Sequence, residues 1–393
     1  MNVADWRHVA GTRAIFDLAR RDRRAFFNGE RLKRATREAQ LDAVVAVSPV
    51  NVTYTAGAWV PLPLLYAFVV TTASDGQGVV INEADAYYLG EYSWVEDIRG
   101  FRFGPESDAA ALSLLDELLG DLGLRAGTLG IELGYMPHRA FAQLAEALPR
   151  VEWRDATPVF EEARLVKTEA EIDLFRMAAN CTARAIETAF ALAAPGDTER
   201  ELASEIQAHA LRLGADALAH AHVHAGVHST IVHTLPLEEP IRRGEVIHVD
   251  FGACFAGYYT DLSRNAVVDE ASARQETIYR HLWEIEQILI ERMTPGASAR
   301  EIFELAEREF TARKLVHPWG TLGHSTGLAV HEGFELSRAA EDVLEPGMIL
   351  NIEPSHIEQG DARYHIEDSV LVTEDGCEVL SNFGPTDRMP TIR

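Results

Sequence analysis

Short apolar, β-branched runs alternate with helical patterns along the first part of the chain. Residues 41–50 (LDAVVAVSPV) and 66–72 (YAFVVTT) read as buried strands. Residues 109–120 and 138–148 space Ala, Leu and Glu as helices do. This alternation predicts an α/β domain, a parallel or mixed sheet covered by helices. A break is expected near Asp155–Pro158, giving one domain over residues 1–157 and a second over 158–393. Thr168 and Glu171 match a capping box, and the helix they open is expected to run towards Ala194, where Pro195-Gly196 stops it.

The second part carries an internal echo. PGDTEREL from Pro195 to Leu202 resembles PGASAREI from Pro295 to Ile302, at an offset of 100 residues. In each copy a helix ends at Pro-Gly, and a Thr or Ser three residues before Glu caps the next. Strand-like sequence follows each, over 231–267 and 347–373. The repeated order predicts an α+β domain made by duplication, its halves facing each other about a pseudo-twofold axis with a site between them.

Each half contains a hairpin with paired acids. In VIHVDFGACFAGYYTDLSRNAV (246–267), Asp250 and Asp261 are symmetric about the Phe255–Ala256 junction. A tight hairpin would set them opposite each other on one face, where Cβ atoms lie about 4.5–5.5 Å apart and like charges destabilise. Asp is also a poor strand former. In the second half Glu353 and Glu367 are symmetric about Gly360. Four converging carboxylates need a cation to offset their repulsion. Such oxygen-rich sets suit Mn²⁺, Co²⁺ or Zn²⁺, and two ions about 3.5–4 Å apart could share bridging acids.

Composition narrows the classes. Lys and Arg number 36 against 61 Asp and Glu, a formal net charge of −25. That argues against nucleic-acid backbones and anionic membranes, which basic side chains recognise. Three scattered cysteines, Cys181, Cys254 and Cys377, form no CxxC pair, so a disulfide scaffold or thiolate zinc site is not expected. The apolar stretch Ala58–Ala73 contains Pro61 and Pro63 and is too short to span a bilayer. No apolar signal segment is visible, and a cytoplasmic protein is expected. Of the 15 histidines, five crowd the segment AHAHVHAGVHSTIVH, and His324 sits in the Gly-rich GTLGHSTG segment with His331 seven residues on. His220 and His222 read as solvated positions on a strand edge.

The order Asp250, Asp261, His324, Glu353, Glu367, with VDFGACFAGYYTD, GHSTGLAVHE, NIEP and HIEDSVLVTEDG, resembles the pita-bread metallopeptidases. These include methionine aminopeptidase, aminopeptidase P and Xaa-Pro dipeptidase, with creatinase as a metal-free cousin. The resemblance is strong over residues 160–380. The preceding part resembles the N-terminal domain of the prolidase, aminopeptidase P and creatinase branch, which methionine aminopeptidases usually lack.

The resemblance implies two divalent ions, manganese first, with zinc or cobalt as alternatives. Asp250 would bind one, Asp261 and Glu367 would bridge, and His324 and Glu353 would complete the other. Water acidified there would attack the scissile carbonyl, with Glu353 as general base. His233 and His331 match the family's two active-site histidines. The first would hydrogen-bond the tetrahedral intermediate or the leaving nitrogen, and the second would hold the substrate backbone. A homodimer acting on small peptides is also implied.

Three positions depart from the family pattern. Ser325 follows His324 where Gly is common, and His228 stands where Asn is common. His365 occupies the place of an Arg, a role that Arg363 or Arg338 could take over. Substrate contacts are therefore expected from His228, His365 and Arg363. The reading favours Xaa-Pro dipeptide hydrolysis. Alternatives are aminopeptidase P activity on longer peptides, an ectoine hydrolase- or creatinase-like amide or amidine hydrolase, and a non-catalytic binding module of the same fold.

Overall fold

A computed structural model describes residues 12–57, 67–384 and 386–393. They separate into two compact units, Asp17–Glu171 and Ile172–Arg393, the latter with the described residues up to Phe16. Part of the apolar stretch Ala58–Ala73 lies outside the described residues. Among the described residues no helix is long and apolar enough to cross a membrane.

The first unit contains helices α1 (Thr12–Arg21), α2 (Gly29–Glu38), α3 (Pro49–Ala56), α4 (Glu83–Tyr92), α5 (Ser107–Asp121), α6 (His138–Ala147) and α7 (Thr157–Leu165), α1 crossing its boundary. Its strands are β1 (Ala43–Ala46), β2 (Phe68–Thr72), β3 (Gln77–Asn82), β4 (Ile98–Phe101), β5 (Thr128–Ile131) and β6 (Glu152–Asp155). They form one mixed sheet in the order β4-β3-β2-β1-β5-β6. Val45, Val70 and Val80 of the sheet pack with Leu115 and Leu118 of α5, the helix expected over 109–120. The sequence places the first break after residue 157, yet this unit extends through α7. The carbonyls of Glu162 and Ala163 accept bonds from Arg31 Nε (2.9 Å) and Tyr54 Oη (3.0 Å), which tie α7 to it.

The second unit follows the predicted repeat. Helices α8 (Glu169–Leu192) and α9 (Glu199–Arg212) precede strands β7 (Ala217–Ala225), β8 (Val246–Phe255) and β9 (Tyr258–Val268). Helices α10 (Ala273–Ile290) and α11 (Ala299–Arg313) precede β10 (Thr321–Ser325), β11 (Glu335–Ser337), β12 (Ile349–Ile352), β13 (Ser355–Ile357), β14 (Arg363–His365), β15 (Asp368–Val372), β16 (Cys377–Val379) and β17 (Thr391–Ile392). Thr168 caps α8 as predicted, accepting from Glu171 N. Thr198 and Ser298 cap the repeated helices in the same way, accepting from Glu201 N and Glu301 N. Strands β13 and β14 pair as a two-stranded ribbon; of the larger sheets, one runs β17-β9-β8-β7 and the other β11-β10-β12-β15-β16. They meet where Glu367 N donates to Ser263 O at 3.1 Å. Strand β7 extends well beyond the strand edge that the sequence predicts at His220 and His222.

Candidate metal centre

Strand alternation builds the site. On β8, Ile247, Val249, Phe251 and Ala253 point to one side, and His248, Asp250 and Gly252 to the other. The first hairpin turns through Ala256 and Gly257, whose φ angles are +51° and +89°, as a two-residue turn of the mirror-image type requires. This sets Asp250 against Ser263 and Gly252 against Asp261. The two aspartates are therefore diagonal rather than directly opposed as expected. The turn lies one residue later than the assumed centre, so the register moves by two and the shared face survives. In the second hairpin, Ile352 pairs with Asp368 and Ser355 with His365. Both pairs are symmetric about Gly360, which brings Glu353 and Glu367 across from each other as the sequence predicts.

Asp261, His324 and Glu367 are buried, and Asp250 and Glu353 are partly accessible. His324 Nε2 lies 3.9 Å from Asp261 Oδ2 and 3.8 Å from Glu367 Oε1. Ser263 Oγ donates to Glu367 Oε2 at 3.1 Å. Glu367 Oε1 is buried with no hydrogen-bond partner among the described residues. Burial, then repulsion from Asp261 and Glu353, holds the Glu367 carboxyl well above the usual range. Burial, with Asp261 and Asp250, pushes Glu353 up to about 8. Burial, with His331, pushes His324 down to about 4, leaving a neutral imidazole. A carboxylate oxygen without a donor, mutually repelling acids and a neutral imidazole fit a divalent cation.

His220 belongs to the same cluster, contrary to its reading as a solvated edge residue. Its Nε2 lies 2.9 Å from Asp250 Oδ1 and 3.0 Å from Asp261 Oδ1. Burial opposes its charge, but Asp261 and Asp250 override this and push the ring up to about 10. For Asp250 burial opposes the charge too, and His220, His365 and Arg363 outweigh it and hold the carboxyl well below the usual range. The strand signal in LAHAHVH was available. What pattern alone could not give was the pairing of that strand with the one bearing Asp250.

A cleft of about 370 Å³ opens over the acids. It is lined by His220, His222, His233, Trp319, His331 and Arg363 besides the acids and His324. His331 is largely exposed and stacks on His324 with centroids 3.6 Å apart. His233 is exposed, its ring edge-on to His222. Arg363 is buried, with its guanidinium 5.3 Å from the Trp319 ring centroid and Nη1 4.0 Å from Asp250.

The other expected substrate contacts are placed elsewhere. His228 Nδ1 is held 2.9 Å from both oxygens of buried Glu199, so its ring does not line the cleft. His365 is buried beneath the acids, 3.5 Å from Glu353, with its Nδ1 accepting from Arg363 Nη2 at 3.0 Å. Its position on β14, between the hairpin acids, draws it under the cleft floor. Arg338 is exposed and pairs with Glu304 and Glu307, whereas Arg363 reaches the cleft.

This fold and acid cluster define a two-domain metallohydrolase of the pita-bread type. The chain belongs to metallopeptidase family M24, whose model matches residues 173–374, and the creatinase/prolidase N-terminal domain matches residues 29–166. It is 27% identical to the Xaa-Pro dipeptidase of Pyrococcus furiosus over 90% of this chain and 97% of that protein. The structure of an Xaa-Pro dipeptidase from Bacillus anthracis superposes with a TM-score of 0.83 at 24% identity, covering 93% of this chain and 99% of that one. An X-Pro aminopeptidase from Thermotoga maritima superposes with a TM-score of 0.80 at 20% identity, covering 93% and 100%.

Proposed function

We propose that the chain hydrolyses the bond preceding proline in dipeptides or short peptides, using two divalent ions. Asp250 would hold one ion, Asp261 and Glu367 would lie between them, and His324 and Glu353 would complete the other. Manganese is the first choice, with zinc or cobalt as alternatives. The observation that carries this reading is the gathering of all five side chains, from two sheets, beneath one cleft. When bound, such ions acidify water and polarise the scissile carbonyl.

The remaining roles fall to the chain. Glu353, which the bound ions would keep ionised, would accept a proton from the attacking water. His233 hydrogen-bonds the developing oxyanion or the leaving nitrogen. His331 orients the substrate backbone. Trp319, Val232 and Val330 give the cleft apolar walls suited to a pyrrolidine ring. Arg363 Nη1 is buried without a hydrogen-bond partner among the described residues. The positive charge of Arg363 at the cleft wall suits a substrate carboxylate, and the cleft's modest volume suits a short peptide. The reading extends to a cytoplasmic homodimer.

The test is an activity panel of Xaa-Pro dipeptides, Xaa-Pro-Xaa tripeptides, creatine and ectoine, each with Mn²⁺, Co²⁺ and Zn²⁺. Fastest turnover is expected on the dipeptides. Faster turnover of tripeptides would reassign the protein to the aminopeptidase P type. Turnover of creatine or ectoine alone would overturn the peptidase reading.

A further inference from the structure

We propose that His220 is itself a metal ligand, adding an imidazole nitrogen to the ion held by Asp250. The inference rests on the metal-centre reading above and extends it beyond the five residues already assigned.

The backbone aims this side chain. Ala217 and Leu218 pair with Cys254 and Ala253, but from His220 onward the register has moved by one, setting His220 against Gly252 and His222 against Asp250. The shift is a bulge, which inserts a residue and re-aims the side chains beyond it. Without it His220 would pair with Phe251 and share that residue's apolar side. With it, His220, Gly252 and Asp261 form one row across three strands, beside the row His222, Asp250 and Ser263.

Gly252 clears the path across that row. A Cβ there would lie 2.6 Å from His220 Cε1 and 2.9 Å from Nδ1, so only glycine lets the ring cross β8. The ring then reaches both acids, with Nε2 2.9 Å from Asp250 Oδ1 and 3.0 Å from Asp261 Oδ1. Two ligands at right angles on an ion with bonds of about 2.1 Å lie about 3.0 Å apart. The nitrogen is thus spaced from each oxygen as neighbours in one coordination shell are, and ligand atoms of all three residues lie within 4.8 Å of one another. With His324 on the other ion, each ion would gain one imidazole. That biases the pair towards borderline ions such as Co²⁺ and Zn²⁺ over Mg²⁺.

X-ray absorption on the unmutated protein loaded with two equivalents of Co²⁺ tests this directly. Two imidazole nitrogens per two ions are expected, and one per two ions would overturn the proposal. In calorimetric titration with Co²⁺, His220→Gln should weaken one site at least tenfold and leave the other within twofold, with an unchanged circular dichroism spectrum. Equal affinities would overturn the assignment. Tighter binding by the variant would also overturn it, making His220 a cation that competes with the metal. Failure of the unmutated protein to take up Co²⁺ would instead overturn the metal-centre reading, and this inference with it.

Discussion

Asp261 lies within 3.0 Å of one histidine nitrogen and 3.9 Å of another, so a single carboxylate links His220 and His324. Asp261→Asn keeps the shape and removes the charge. Turnover should fall below detection while the circular dichroism spectrum is unchanged, and retained activity would contradict the ligand assignment. His233 has a different standing: it lines the cleft from an exposed position, with its ring against His222 rather than an acid. His233→Ala should lower kcat by about 10²–10³-fold, as expected for removal of a transition-state hydrogen bond. Metal content, measured by plasma mass spectrometry, should stay constant. Its loss would make His233 a ligand instead.

At the scale of elements, the hairpins and their caps decide where the chemistry stands. Capping boxes, Pro-Gly stops and the symmetry about Gly360 were readable because each depends on residues close in sequence. The diagonal offset of Asp250 and Asp261 was not, because it turns on whether the chain reverses at Phe255-Ala256 or Ala256-Gly257. His220 was missed for a related reason, since its bulge has no signature in composition. The placements of His365 and His228 were not legible, because pattern shows which face a residue takes but not what lies above it. Gly323 shows how tightly the second sheet is drawn. A Cβ there would meet Asn351 O at 2.0 Å, on the strand paired with β10. Gly323→Ala should destabilise the protein by about 3 kcal/mol, an overpacking penalty, measured by urea unfolding. A change of a few tenths of a kcal/mol would mean that the strands part easily.

The catalytic half of the molecule depends on polar groups buried between its two larger sheets. Arg264, only 2% exposed, bonds Asp368 Oδ1 at 2.6 Å and the carbonyl of Glu367 at 2.7 Å. Removing it leaves the buried Asp368 carboxylate without its cation, with Ser381 Oγ still donating at 2.6 Å. Arg264→Ala should cost about 3–5 kcal/mol, read from the shift in the urea midpoint. A second liability is His224, fully buried and pushed down to about 4 by burial, from 6.5 when unfolded. Above pH 6.5 both states hold it neutral and it has no effect on stability. Between pH 6.5 and 4 the unfolded chain takes up a proton that the folded one refuses. Stability should therefore fall by about 1.4 kcal/mol per pH unit from this group. His224→Asn should remove that slope, and an identical slope in the variant would refute the assignment. The two-residue turn at Ala256-Gly257 has a final consequence. Strand pairing obeys parity. Across this turn, two side chains share a face only when their sequence separation is odd, as the 261 − 250 = 11 of the aspartates is. Along the strand after the turn, an indel of even length would slide the carboxylate in its plane, whereas a single-residue indel would carry it through to the reverse side of the ribbon.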